Sequence, residues 1–410
     1  MTFLRLTRWL LSGPGRLPSG SCPSSVQYNY LKLDRTLMGV PLAEAIVTEA
    51  DLRGARRVLV VMAGTLARET EITAELDTAL DKRMAGVFSD TVTHVPRSAA
   101  LALADAVRAK NADLILTVGG GTCLDTAKMA LLCLAENITN EQQLDAFAIR
   151  VNEAGERETP HVAAPPLRQI AAPTTLSGAE FSDLSGCVDT HTQVKQLFSG
   201  AEIGPGTVIL DPALTVHTPM DLWLSTGVRA LDHAVETLCS SAPMAIADAG
   251  ALHAIRLLGR SLLRNKAQPD NLAARLDSQL AVALACAGLN RVPYGASHGI
   301  GHQLGAVAGV PHGHTSCILL PHVMAFNAQA TDKNQQLISE AMGEPNRSAS
   351  EVLGELIRQL GMPTRLRDVG VTRDQFDAIA QGSLLNAWVR ANPQPIHNVE
   401  QVYQILESAY

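Results

Sequence analysis

The sequence predicts an α/β domain followed by an all-α domain, and three observations carry that expectation. Compact apolar runs, Arg57–Met62 (β-branched), Asp113–Val118 and Gln169–Pro173, alternate with helical stretches. Buried parallel strands read this way, and their alternation with helices makes a doubly wound sheet. From Asp221 onward the chain turns to long Ala/Leu-rich patterns of helical period, and the strand signal fades. Finally, 410 residues exceed what one hydrophobic core organises. The boundary is expected near residues 211–220, giving an α/β domain over 26–215 and a helical domain over 216–410.

The first run turns at Ala63-Gly64-Thr65 into a helical stretch through the seventies. Ser98 to Lys110 sets Leu101, Ala104 and Val107 on one face, as a surface helix does. The second run passes straight into Gly119-Gly120-Gly121 and a helix from Thr122 to Ala135. Residues 151–168, rich in proline and charge, form an exposed excursion before the third run ends at Thr174-Thr175.

Composition excludes several classes. Hydrophobic residues are 46% and charged ones 18%, so disorder is not expected for the bulk of the chain. A net charge of -7 argues against nucleic acid or an anionic membrane as the main partner. No apolar run has the roughly 18 to 20 residues of a membrane span. Seven scattered cysteines without a CxxC pair suit reduced thiols in the cytoplasm. Residues 1–25 contain Trp9-Leu10-Leu11, too short for a signal core, and then a Ser/Gly/Pro stretch, so they are expected to be a disordered extension.

Three clusters carry candidate chemistry. In Thr117-Val118-Gly119-Gly120-Gly121-Thr122-Cys123-Leu124-Asp125-Thr126-Ala127-Lys128, a strand feeds glycines and then a helix. Backbone amides and the helix N-terminus there can cradle a phosphate, with Thr122 as a cap; a tight turn binding nothing is the bland reading. The run lacks the G-x-G-x-x-G spacing of a standard Rossmann turn. Pro173-Thr174-Thr175-Leu176-Ser177-Gly178-Ala179-Glu180 puts hydroxyls at a strand's carboxyl end, where open sheets bind ligands, although such loops also close on themselves. Arg229 with His233, and His298 with His302, are spaced four apart on helix faces, and His312 follows on a Pro311-His312-Gly313 turn. A lone histidine is usually structural. This set could be a metal site, a proton relay or an anion pocket.

The order GGGTCLDTAK, PTTLSGAE, DPALT, GVRALDHAVE, SHGIGHQLGAVAGVPHGH and ILLPHVMAFN, ending near Asn392-Pro393-Gln394-Pro395, resembles the iron-containing alcohol dehydrogenases over about residues 28–410. The resemblance implies NAD(P) held between a dinucleotide-binding α/β domain and a helical domain. Gly119, Gly120, Gly121 and Thr122 match the pyrophosphate loop, with Asp125 and Lys128 in the same motif. Thr174 and Thr175 match residues on the nicotinamide side, and Lys195 falls where the family often has a lysine near the cofactor.

In metal-dependent members an aspartate and three histidines bind the ion. His233, His298 and His312 match the histidines, but Arg229 stands at the aspartate's position. A guanidinium is permanently cationic and repels a metal, and Asp232 lies about 100° around the helix from His233. No tightly bound metal is therefore expected. PTTLSGAE also has the shorter loop of the maleylacetate reductase branch, which carries asparagine rather than aspartate at the Arg229 position; Arg229 and Ala179 are this chain's departures. The resemblance implies reduction of an unsaturated oxo acid by NADH or NADPH in aromatic-compound degradation. Arg229 would bind a carboxylate or the developing enolate, and His302 would donate a proton. His233, His298 and His312 would line the pocket. Ala63 follows the first strand, where NAD-selective proteins place an acid, so both cofactors are expected to serve. The partners expected are a small-molecule substrate and a second copy in a homodimer. A metal-dependent alcohol dehydrogenase and an inactive cofactor-binding relative are the alternatives.

Overall fold

Val58–Met62, Leu114–Gly119 and Gln169–Pro173 are strands in which every residue is buried, the result of apolar runs with helices on both faces. In the computed structural model, which describes residues 27–152, 157–192 and 194–410, ten strands form one large and two small sheets. They are β1 (Arg35–Met38), β2 (Val58–Met62), β3 (Met84–Phe88), β4 (Leu114–Gly119), β5 (Arg150–Val151), β6 (Arg157–Glu158), β7 (Gln169–Pro173), β8 (Leu184–Asp189), β9 (Val194–Ser199) and β10 (Thr207–Leu210). The large sheet runs β1-β10-β7-β4-β2-β3, with every pair parallel. The extension expected over residues 1–25 lies outside the described residues.

Register places the glycine turn. Gly119 at the end of β4 pairs with Pro173 at the end of β7, and Thr174 N–H donates to the Gly119 carbonyl at 3.1 Å. The two motifs thus leave the sheet side by side at its carboxyl edge. One core cluster, with Leu59, Ile115 and Leu131, fills the space beneath helices Arg97–Lys110 and Gly121–Ala135. Another, with Val60, Leu116 and Ile170, fills the opposite face.

Among the described residues no strand follows Leu210. Helices then run from Met220–Leu238 to Val399–Ser408, the helical region expected from residue 221 onward. The largest core cluster joins Ala171, Leu176 and Val208 of the α/β part to Leu231, Ile300 and Leu319 of the helices, and Leu31–Tyr410 form one compact body. No helix among the described residues is long and apolar enough to cross a membrane.

Two elements differ from the sequence reading. The antiparallel hairpin β8–β9 has no apolar run to announce it, because Ser185, Gly186 and Asp189 stand among the buried positions of β8 and β9 opens on exposed residues. His312 does not sit in a turn: it is the first residue of helix His312–Phe326, with Pro311 at the N-cap.

Candidate active site

The glycine cradle begins helix Gly121–Ala135, with Gly120 as N-cap and no side chain capping it. Its first amides therefore point outward with positive partial charge. Gly119 has φ 156°, a conformation glycine tolerates. A Cβ at Gly120 would lie 2.9 Å from Thr175 Cγ2, so the cradle is packed directly against Thr175. Thr174 and Thr175 are buried; the Thr174 carbonyl accepts from Thr218 Oγ1 at 2.7 Å, and Thr175 Oγ1 donates to Ser177 Oγ at 3.3 Å. Within the same helix, Asp125 pairs with the fully buried Lys128 at 3.0 Å, and Lys128 Nζ donates to the Leu184 carbonyl. That pair ties the helix to β8.

Lys195 on β9 reaches the helical region, its Nζ lying 3.3 Å from His312 Nε2. The Lys195 side chain keeps surface exposure, yet the protein crowded around its ammonium group lowers its pKa; Asp125 opposes this and Arg229 lowers it further. His312 is driven down to about 2 by burial and by Lys195 and Arg229, and its Nδ1 is buried without a partner among the described residues.

Helix Met220–Leu238 carries Arg229, Asp232, His233 and Glu236. Asp232 is completely buried, and its Oδ2 accepts from Ser297 Oγ at 2.8 Å and Ser316 Oγ at 2.6 Å. Arg229 Nη1 donates to the same Ser316 hydroxyl at 3.1 Å. Burial lowers the Arg229 pKa while Asp232 and Glu236 oppose that fall. Glu236 accepts from the backbone amides of Gly295 and Ser297 at the start of helix Ala296–Ala308, a cap of opposite charge to the helix N-terminus. Burial pushes Asp232 up to about 8 and Glu236 up to about 7.

A chain of rings continues from Glu236. His298 Nδ1 lies 2.8 Å from Glu236 Oε2, and His298 Nε2 lies 2.9 Å from His233 Nδ1. His302, one turn on from His298, faces Asn386 at 3.3 Å and packs on Trp388 with ring centroids 4.9 Å apart. Burial, followed by the charge of Arg229, holds His298 and His302 well below the ordinary imidazole pKa; for His233, burial, then His298 and then Arg229 do the same.

The residues expected from sequence thus fall into linked groups rather than one ligand shell. His233 and His298 meet each other, His312 meets Lys195, and His302 meets the Asn386 turn. Among the described residues, the group whose donor atoms all lie within 4.8 Å of one another is Asp232, Glu236 and His298. It does not contain His233 or His312. Ser297, Ser316, Asn386 and Trp388 escaped the sequence reading, because nothing in their spacing marks a contact across separate helices. Asp232 and Glu236 were visible as acids on the Arg229 helix.

A parallel sheet with a glycine cradle at its carboxyl edge, together with a lysine on a hairpin strand and an arginine and neutral histidines on helices, is the architecture of an α/β-plus-helical oxidoreductase. The chain belongs to the iron-containing alcohol dehydrogenase family, residues 34–212 matching its iron-containing alcohol dehydrogenase domain and 223–410 its C-terminal domain, and it is an NAD(P)-dependent oxidoreductase. It is 32% identical over 363 residues to Dehydrogenase ALT3 of Alternaria alternata, covering 80% of this chain and 92% of that protein. It is 28% identical over 379 residues to a maleylacetate reductase of Burkholderia cepacia, covering 92% and 96%. The crystal structure of a 1,3-propanediol oxidoreductase is similar with a TM-score of 0.82 and 27% identity, covering 94% of this chain and all of that one (100%).

Proposed function

We propose that this chain is a metal-independent reductase of unsaturated oxo acids, similar in chemistry to maleylacetate reductases and serving aromatic-compound degradation. The observation that carries the reading is Arg229, a cation tied through Ser316 to the buried Asp232 and set among neutral histidines.

The residues suit a dinucleotide. The uncapped helix start at Gly121 offers amides to a pyrophosphate, and Thr174 and Thr175 stand beside it. Bound NADH or NADPH would supply the hydride. Ala63 puts no carboxylate at the end of β2, and Arg68 Nη1 lies 2.9 Å from where a Gly64 Cβ would stand, which suits a 2′-phosphate as well as a free ribose.

The residues do not suit a divalent ion. Arg229 replaces the anionic ligand, and His233 and His298 spend facing nitrogens on one another. Arg229 therefore takes the cationic role, binding a substrate carboxylate or facing the enolate oxygen as electrons shift off the conjugated double bond. His302, expected from sequence as the proton donor, is held neutral, so an imidazolium is not its resting form. Lys195, an ammonium with a lowered pKa, is the better source of the proton that completes the reduced carbon.

Asp232, Glu236 and His298 favour one second reading, a metal-dependent alcohol dehydrogenase with a shifted ligand set. The backbone amides and serine hydroxyls already on those carboxylates weigh against it. An NADH- and NADPH-oxidation screen separates the two. Turnover of unsaturated oxo dicarboxylates and poor turnover of simple aldehydes is expected, whereas a preference for alcohols or aldehydes would refute the reductase reading. The reading includes a cytoplasmic homodimer, checked by light scattering and by cell fractionation.

A further inference from the structure

We propose that Asn386 and Trp388 are positioning residues that hold His302 as a neutral ring with its proton on Nε2. Asn386 is the N-cap of the short helix Ala387–Arg390, and its Oδ1 accepts the Trp388 backbone N–H at 2.9 Å. A backbone N–H needs an acceptor, so this bond fixes which end of the amide is oxygen. The amide nitrogen is left facing His302 Nδ1 at 3.3 Å. An NH₂ group only donates, so Nδ1 must present its lone pair, and the ring proton of the neutral imidazole sits on Nε2.

Trp388 fixes the plane in which that proton points. Its ring lies 4.9 Å from the His302 ring, tilted by 40°, and edge-on to His298 at 5.8 Å. The turn is held against the helix by a close approach at Gly299, which lies between His298 and His302 in Ser297-His298-Gly299-Ile300-Gly301-His302. A Cβ at Gly299 would overlap the Val389 side chain and come within 3.0 Å of Val389 N. That glycine lets the Asn386 turn reach His302. A neutral Nε2–H can donate a hydrogen bond to an enolate oxygen without releasing its proton, whereas Lys195 gives its proton up. This kinetic role rests on the reductase reading above; the tautomer does not.

Asn386→Asp tests both. Aspartate caps a helix as well as asparagine does, so the fold and melting temperature should be retained. Its second oxygen, when ionised, can only accept, which puts a proton on Nδ1; burial and the charge of Arg229 oppose an imidazolium, so the ring stays neutral and Nε2 is left bare. In ¹⁵N-histidine-labelled protein, with His302 assigned by its loss in His302→Gln, the parent should show a protonated Nε2 and an unprotonated Nδ1. Asn386→Asp should reverse the two and lower kcat/KM for an unsaturated oxo dicarboxylate by about tenfold or more, while Trp388→Phe, which keeps a ring face, should hold the parent tautomer. A parent ring protonated on Nδ1, or no reversal in Asn386→Asp, overturns the inference. A reversed tautomer with unchanged kcat/KM upholds the tautomer assignment and overturns the part given to His302 in the reaction.

Discussion

Arg229 and Asp232, three residues apart on one helix, are joined through a third side chain rather than to each other. The Ser316 hydroxyl accepts from Arg229 at 3.1 Å and donates to Asp232 Oδ2 at 2.6 Å. The remaining oxygen, Asp232 Oδ1, is buried without a partner among the described residues. A guanidinium carries five donors, and among the described residues the bond to Ser316 engages one of them, which leaves donors for a ligand.

Arg229→Ala should therefore lower kcat/KM for an oxo dicarboxylate by about two orders of magnitude, roughly 2.7 kcal/mol of transition-state stabilisation. Arg229→Lys should recover part of this, since an ammonium cannot bind a carboxylate bidentately. Melting temperature and kcat/KM are read on the same preparations. A loss of stability with kcat/KM preserved per folded molecule would make Arg229 a counter-charge for Asp232 and Glu236 and nothing more.

The buried carboxyl gives stability a pH dependence of definite sign. Asp232 is raised to about 8 and its buried neighbour Glu236 to about 7, so the folded pair keeps protons that the unfolded chain releases in the ordinary carboxylate range. Its contribution is fully present below that ordinary range and is lost as pH rises to about 8. The depressed histidines act oppositely, costing stability as pH falls through their ordinary value. Asp232→Asn should flatten the alkaline fall in denaturant stability between about pH 5 and 9 while leaving the acid limb. Parallel curves for parent and variant would show that the proton is not held on Asp232.

Much of this was legible in the chain itself, where the signal was local. β4, β7 and the helix after Gly120 follow from apolar runs broken by glycine or by Pro173, and the neighbouring hydroxyls mark the sheet's carboxyl edge. Arg229 and His233, and His298 and His302, share helices as their spacing required. What stayed hidden is long-range. Ser316 lies 87 residues from Arg229, and Asn386 lies 84 from His302. β9, with its exposed first residues, gave no apolar pattern to announce the strand that carries Lys195.

Packing at the cradle decides which glycine substitution is informative. Because a Gly120 Cβ meets Thr175 Cγ2 at 2.9 Å, Gly120→Val disturbs the Thr174-Thr175 segment as well as any phosphate, and the fold would not be left untouched. Gly120→Ala should abolish measurable NADH binding by calorimetry with a melting-temperature loss of a few degrees, on the order of 1 kcal/mol. If adding Thr175→Ser, which removes the clashing methyl, restores affinity to the parent value, the glycine serves packing and not phosphate approach.

Cofactor choice should respond to Arg68, the cation beside the turn after β2. Arg68→Glu is expected to raise KM for NADPH by about tenfold or more with little effect on NADH, because a carboxylate there repels a 2′-phosphate and accepts from a free ribose hydroxyl. Equal effects on both cofactors would take Arg68 out of the ribose site.

The central claim is that Arg229 does the work of a divalent cation. Its most direct test is metal quantification of the purified protein, with kcat/KM for an unsaturated oxo dicarboxylate measured before and after exhaustive chelation. The expected result is no stoichiometric iron or zinc and an unchanged kcat/KM. One ion per chain, removed by the chelator together with activity and restored by adding it back, would contradict the claim.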